Sequence, residues 1–231
     1  MAKAKLVKDF KTLSQGQKLA DVDAAFEKAR QETFPEIVTG PLSKLFDSQM
    51  ETLKQRGCPS DIIKALVKMK NGVISKALKN QTPKNHIPFI PVIPRSMLNI
   101  DEQMKMVHYR DKKGYNYLNQ SALKDVVDIP GKLYFIFDVE DGQDMLGKSP
   151  EKAESLIKKS GRSCLTTEEV IALCIHTNVL SEHYVDCTGS RYGRAGLIPF
   201  VYLGGDGPEL RWHYSDGAYV GWGSASCRSR A

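Results

Sequence analysis

The stretch LYFIFDVEDG, residues 133–142, decides the fold. Its first five residues are a dense run of aromatic and β-branched side chains, long enough for one buried strand. Three carboxylates, Asp138, Glu140 and Asp141, follow at once, and a glycine then turns the chain. The stretch therefore predicts a buried strand that leads into an acidic turn.

Two helices are predicted downstream of this strand. Ser149 can cap a helix in which Pro150 takes the first position, and Gly161 ends that helix. Thr166 and Glu169 then have the spacing of a capping box, in which each side chain satisfies a free backbone donor. The helix that this box opens is apolar on nearly all sides, so we expect it to be central and buried.

The last third of the chain indicates β-structure. Residues 197–203 and 209–214 flank the turn 204–207, which is rich in glycine and predicts a hairpin. On the second strand, apolar side chains alternate with Glu209, Arg211 and His213. One face of this hairpin is therefore predicted to be apolar and the other polar.

Two further segments precede the organising strand. Prolines at every third position of residues 86–95 suit a polyproline conformation, and the segment is interpreted as an extended spacer or an edge strand. A PxxP ligand for a partner domain is a weaker alternative. Two alternating runs within residues 104–118, separated by a turn that ends at Gly114, predict another hairpin.

The first third of the chain is predicted to be helical. An amphipathic pattern covers residues 17–34 and stops at Pro35. A second helix is expected after Pro41, with Gly57 as its stop signal, and a third over residues 60–78. These helices would pack as a small bundle or lie across another domain.

The basic charge is concentrated in the same third. The chain has 231 residues and a net charge of +6. Residues 1–85 hold 16 Lys and Arg against 9 Asp and Glu, whereas residues 86–231 are close to neutral. Most of these basic residues are scattered lysines, which are typical of a solvated helix surface rather than of bidentate phosphate recognition. We therefore expect nucleic-acid binding to be unlikely, with an acidic protein partner left open.

Composition favours a cytoplasmic protein. No secretory h-region and no membrane-spanning stretch is present in the sequence. The five cysteines are odd in number, widely spaced and form no C-x-x-C pair, so we expect reduced thiols.

Four motifs of the sequence resemble those of a known protein family. IFDVEDG, SCLTTEEVIAL, GSRYG and WGSASC are similar to an uncharacterised bacterial family, a domain of unknown function, over about residues 86–227. The resemblance implies that residues 86–231 form one unit, and it implies no activity, cofactor or catalytic residue. The expected fold is α+β, with a basic helical region at 1–85 followed by a mixed α+β domain at 86–231.

A binding module for a small anion or an acidic ligand is the function that these residues favour. Flexible Gly- and Ser-bearing loops can bring backbone donors close to a ligand, and guanidinium groups supply planar charge. The alternative is that the arginines pair with acidic residues of the same domain. The candidate ligand-binding residues are Ser190, Arg191, Arg194, Arg211, His213, Ser224 and Cys227.

Other chemistries are weaker alternatives. A hydrolase or transferase would use a constellation such as Cys227, His213, Arg191 and Ser190. Asp138, Glu140 and Asp141 are weak candidates for a Ca²⁺ or Mg²⁺ site, and a polar turn is the favoured explanation of these residues. No cofactor is expected.

Overall fold

The computed structural model describes residues 35–194 and 196–231. The chain divides into two units between Leu45 and Phe46, inside the first described helix, and the strands and the other described helices lie in the second unit. The helix predicted at 17–34 lies outside the described residues. The described helices are α1 (Pro35–Gln55), α2 (Ser60–Val67), α3 (Lys70–Lys79), α4 (Ile100–Met106), α5 (Pro150–Lys159) and α6 (Thr167–His176).

Short strands alternate with the helices from residue 87 onward. The strands are β1 (Ile87–Val92), β2 (His108–Tyr109), β3 (Lys112–Lys113), β4 (Tyr115–Asn116), β5 (Leu123–Asp125), β6 (Tyr134–Val139), β7 (Ser163–Cys164), β8 (Tyr184–Asp186), β9 (Ser190–Tyr192), β10 (Leu197–Gly204), β11 (Gly207–Tyr214), β12 (Trp222–Ser224), β13 (Ser226–Cys227) and β14 (Ser229–Arg230).

Two sheets organise these strands. The first has the order β1-β6-β14, and both neighbours of β6 are antiparallel to it. The second has the order β12-β8-β10-β11-β4, with antiparallel pairs at its centre and a parallel pair at each edge. Three two-stranded pairs complete the described part. The mixture of helices and largely antiparallel strands confirms the α+β prediction.

Strand β6 is buried along its whole length, as its composition predicts. On one side, Phe89 and Phe135 meet Phe46 of α1, with ring centroids 6.3 and 5.7 Å from that of Phe46. All three rings are fully buried. Burial of aromatic rings is the main source of packing energy in such a core, so this aromatic triad fixes α1 on the sheet.

Helix α6 is central, as its apolar composition predicts. Every residue from Thr167 to Ile175 is buried, and α6 contacts β1, α4 and β10. The capping box forms through Glu169, whose carboxylate accepts a hydrogen bond from the backbone N–H of Thr166 at 2.9 Å. The same Glu169 carboxylate accepts hydrogen bonds from Arg230 at 2.6 and 2.8 Å and from the Tyr134 hydroxyl at 2.9 Å. The box therefore also joins α6 to β6 and β14.

The predicted hairpin at 104–118 is wrong. Residues 100–106 form α4, whose N-cap Asn99 accepts a hydrogen bond from the backbone N–H of Glu102. The hairpin that does form is smaller and pairs β2 with β3, while β4 instead adds in parallel to β11. The short apolar alternation around Met104 fits either a strand or one helical turn. The N-cap at Asn99 favours the helix.

Two other boundaries differ from the sequence prediction, and one interpretation is confirmed. Within the proline-rich segment 86–95, Ile87–Val92 form the edge strand β1, which was one of the two interpretations of that segment. The helix predicted over 60–78 is two helices, α2 and α3, and α1 begins at Pro35 instead of after Pro41. The stop signals at Gly57 and Gly161 are confirmed, since both residues have a positive φ.

The division between residues 85 and 86 stays a prediction, and fragments test it. The sequence predicts that a fragment beginning at Thr82 folds alone. The contacts of Phe46 with β1 and β6 favour a different result, because this fragment exposes Phe89 and Phe135. We expect residues 46–231 to melt cooperatively in differential scanning calorimetry, and residues 82–231 to melt at a lower temperature or to aggregate. Equal melting temperatures would support the boundary at residue 86.

Candidate functional site

The two faces of the five-stranded sheet differ in chemistry. One face presents Val185, Val201 and Leu210, which are fully buried. On the other face, paired residues of four adjacent strands form a line, because Ser224 pairs with Asp186, Asp186 with Phe200, and Phe200 with Arg211. We call these residues, together with His213, the polar row: Ser224, Asp186, Phe200, Arg211 and His213.

A histidine and an aspartate meet in the polar row. His213 Nε2 lies 2.8 Å from Asp186 Oδ1. When the imidazole is neutral and donates to this carboxylate, the proton lies on Nε2 and Nδ1 is an acceptor. Asp186 is 1% exposed. Burial raises the pKa of Asp186, although the hydrogen bond from His213 acts in the opposite direction.

Aromatic rings surround this imidazole. The ring centroids of Phe200 and Trp222 both lie 5.0 Å from that of His213, and the centroid of Tyr219 lies 5.7 Å away. Tyr184 extends the cluster along the sheet by an edge contact with Trp222. Tyr219 is 47% exposed, so it forms the outer boundary of the cluster.

Three buried polar atoms of the polar row have no partner among the described residues: Asp186 Oδ2, His213 Nδ1 and Ser224 Oγ. Ser224 itself is fully buried. An unpaired buried polar group costs about 1–3 kcal/mol, and buried polar atoms in proteins are normally paired with protein or water. The row therefore has hydrogen-bonding capacity that the described protein atoms do not use.

The remaining charge of the row is neutralised within the sheet. Arg211 Nε donates to Glu209 at 2.6 Å, and its guanidinium lies 3.9 Å from the centroid of Tyr117. The Tyr202 hydroxyl donates to the same carboxylate at 2.7 Å. Arg211 thus already has an acidic and an aromatic partner.

Ser190 and Arg191 lie outside the polar row, on β9. The Ser190 hydroxyl donates to Asp125 at 2.8 Å and accepts from the backbone N–H of Thr167 at 2.9 Å. Arg191 donates to Glu154 at 2.6 Å and to two nearby carbonyl oxygens. These contacts join β9 to its neighbours. For Arg191 they match the alternative in which an arginine pairs with an acidic residue of the same domain.

Arg194 and Cys227 also lie outside the row. Arg194 is exposed in the loop that follows β9. Cys227 is fully buried on β13, and burial raises the pKa of its thiol to about 12. Of the seven ligand-binding candidates, the structure therefore brings together Arg211, His213 and Ser224.

The three acidic residues of the organising stretch have separate partners. Asp138 pairs with His86 and with Arg162, whose Nη1 lies 3.3 Å from Asp138 Oδ2. Glu140 accepts hydrogen bonds from two backbone N–H groups of the turn, and Asp141 faces His183. Among the described residues, no three His, Cys, Asp or Glu side chains lie close enough together to hold a metal ion.

Asp138 also has an unusual backbone. Its φ is +52°, in the left-handed region that residues other than glycine rarely occupy. Arg162 donates to the Asp138 carbonyl and, at 2.8 Å, to the Ser226 hydroxyl. These bonds hold the strained residue and connect the end of β6 to β13.

Sequence reasoning missed Asp186 and the aromatic residues around His213. Asp186 is 27 residues from His213, and only the strand order β8-β10-β11 brings the two together. The alternation of Tyr184, Val185 and Asp186 does indicate a strand with a polar face. It does not say which strand lies next to it.

Fold and site together define a mixed α+β protein with a candidate small-ligand site on one sheet face. The chain belongs to the Family of unknown function (DUF5701), whose model matches residues 49–231. This match confirms the prediction that the chain resembles a family of unknown function. No curated protein and no solved structure matches the chain. Within the described residues, no helix is long and apolar enough to span a membrane.

A pH-dependent ion pair stands next to the site. His183 Nε2 lies 3.8 Å from Asp141 Oδ1. Burial acts to lower the pKa of His183, but the Asp141 carboxylate and the Tyr184 carbonyl raise it above its ordinary 6.5 overall. His183 in turn lowers the pKa of Asp141 below its ordinary 3.8, against the effect of burial.

The direction of these two pKa shifts predicts the pH range in which the ion pair of His183 and Asp141 stabilises the fold. The contribution of His183 is fully present below about pH 6.5 and is lost as the pH rises through its folded-state pKa. That of Asp141 is present above about pH 4 and is lost as the pH falls through its folded-state pKa. We expect Asp141→Asn to lower the free energy of unfolding, measured in urea, more at pH 5.5 than at pH 9. Asp144→Asn, an exposed change in the same turn, is the control; equal losses at both pH values would contradict this assignment.

Proposed function

We propose that the protein is a binding module and that the polar row receives a small polar ligand. The observation that carries this proposal is the set of three unpartnered buried atoms, Asp186 Oδ2, His213 Nδ1 and Ser224 Oγ, beside aromatic rings. Sites for small molecules combine apolar walls with a few convergent polar groups in this way. Tyr219, the most exposed ring of the cluster, would be the ring past which a ligand enters.

The chemistry of the row favours a hydroxyl-rich ligand. Asp186 Oδ2 and His213 Nδ1 are acceptors, and the Ser224 hydroxyl both donates and accepts, so the complementary groups are hydroxyls or amines. The rings of Trp222 and Tyr219 offer apolar faces to the carbon skeleton of such a ligand. A compact sugar or polyol has both features.

The anionic ligand predicted from the sequence fits the row less well. Asp186 would repel an anion, and Arg211 is already paired with Glu209. Arg191 is paired with Glu154 in the same way. An anion site on the loop after β9 remains a proposal that depends on Arg194, and the same experiment tests it.

Binding is measured by thermal shift and then by titration calorimetry, with a panel of neutral sugars and polyols beside phosphates and carboxylates. We expect a neutral compound to stabilise the protein. Asp186→Asn should weaken its binding about tenfold or more, because a hydrogen bond to a charged group contributes roughly 1.5–3 kcal/mol. Asparagine keeps the size of the side chain and can still accept a hydrogen bond from His213.

Two variants separate the polar row from the loop after β9. Ser224→Ala should weaken binding of the neutral compound, whereas Arg194→Ala should leave it unchanged. If only anions stabilise the protein and Arg194→Ala removes that effect, the loop is the site and the row is structural. If no compound in either group stabilises the wild type, the binding-module proposal is abandoned.

A hydrolase or transferase is the second candidate function. The pair of His213 and Asp186 next to Ser224 favours it, since an aspartate-held imidazole can act as a general base. Ser224 Oγ, however, donates no hydrogen bond to the imidazole. The cysteine version of this alternative depends on Cys227, whose raised pKa disfavours the reactive thiolate.

Thiol labelling tests the cysteine version. All five cysteines are buried, and burial raises the pKa of Cys58 to about 11 and that of Cys227 to about 12. We expect a thiol reagent at pH 7.5 to react slowly with the native protein and rapidly with five groups after unfolding in guanidinium. One fast native thiol that Cys227→Ser removes would instead support nucleophilic catalysis.

The sequence predicts that residues 1–85 do not bind nucleic acid appreciably at physiological ionic strength, and this stays a prediction. Residues 1–34 of that segment lie outside the described part of the chain. Tight binding that weakens steeply with salt would overturn the prediction and favour a nucleic-acid-associated protein, because neutralised phosphates release counterions.

A further inference from the structure

A second candidate site lies at the three-stranded sheet, where α3 passes β6. A groove of about 350 Å³ has an apolar lining from Met69, Val73 and Phe137, with Lys68 and Lys76 as its charged residues. The lining is completed by Gly72 and by Ala231, whose backbone N–H and carbonyl are already paired with Phe135. None of the described residues that line this groove is acidic.

Gly72 keeps the groove open. It lies inside helix α3, where glycine lowers helix stability by about 0.8–1 kcal/mol relative to alanine. Its backbone does not require glycine, because its φ is not positive and an added Cβ would meet no atom within 4 Å. The effect of glycine at this position is therefore to leave space above the apolar floor.

Lys76 supplies an ammonium group at this space. Its Nζ lies 4.7 Å from the centroid of the Phe137 ring and 3.3 Å from the carbonyl oxygen of Arg230. Neither Lys76 nor Lys68 forms an ion pair with any described acidic residue, whereas Lys70, on the same helix, is bonded to Asp47. The groove thus combines two lysines, which form no ion pair with an acidic side chain among the described residues, with an apolar floor.

We propose that this groove binds a small amphiphilic carboxylate, with its carboxylate at Lys76 and Lys68 and its apolar chain against Met69, Val73 and Phe137. The volume is in the range of small-molecule sites. Lysine binds an anion as a point charge and imposes no planar geometry. The apolar floor selects against inorganic phosphate, which has no group to place there.

Titration calorimetry with octanoate tests the charge requirement. We expect saturable binding of octanoate by the full chain and at least tenfold weaker binding of 1-octanol, which has the same chain without the charge. Lys76→Gln should weaken octanoate about tenfold, and Lys79→Gln, a lysine at the end of the same helix, should not. Equal binding of octanoate and octanol, or no binding of either, would overturn the proposal, and inorganic phosphate that competes with octanoate would mean a general anion site.

Substitution of Gly72 tests the location. Gly72→Leu should fill the groove and abolish octanoate binding, whereas Gly72→Ala should keep most of it; both should melt at or above the wild-type temperature, because each is a better helix former. Octanoate that binds Gly72→Leu normally would be binding elsewhere. Ser224→Ala should leave octanoate binding unchanged. The proposal for this groove and the proposal for the polar row can therefore be disproved separately.

Discussion

One buried carboxylate, that of Glu169, connects the parts on which the fold depends. Glu169 has no exposed surface, and removing a charged group from water costs several kcal/mol. Its oxygens offset this cost by accepting from the backbone N–H of Thr166, from two nitrogens of Arg230 and from the Tyr134 hydroxyl. Because these donors come from the start of α6, from β14 and from β6, the helix and the central sheet cannot shift separately without leaving a buried charge unpaired.

The far end of β6 sets the position of the second sheet. Beyond Asp138, Gly142 adopts a φ of +112° and packs so closely on Gly223 that a Cβ at Gly223 would come within 2.2 Å of the Gly142 carbonyl oxygen. Only a residue without a side chain permits that approach. Gly223 precedes Ser224 on β12, and β12 pairs in parallel with β8. The organising stretch therefore determines, through one backbone contact, where Ser224 lies relative to Asp186.

Local signals in the sequence predict much of this fold, and long-range pairing accounts for what they miss. The capping box at Thr166, the buried run of β6 and the glycine-rich turn of the β10–β11 hairpin are each encoded within a few residues, and all three are confirmed. The candidate site is different, because β8, β11 and β12 must be ordered before Asp186, His213 and Ser224 can be related. Burial at the hairpin end also depends on neighbours. Trp212 alternates like a core residue, yet it is 41% exposed because few strands cover that end of β11.

Arginine and lysine differ in how they pair in the described part of this protein. A guanidinium has five donors in a planar fork and can satisfy several acceptors at once, which suits it to buried pairing. Four arginines lie in such pairs, with one or more carboxylates each: Arg95, Arg162, Arg191 and Arg230. The described lysines of the basic N-terminal third form fewer such pairs, and two of them border an apolar groove whose lining has no acidic side chain. Arginine content in the sequence therefore points to structural pairing here, and the available positive charge lies on lysines that composition alone assigns to a solvated surface.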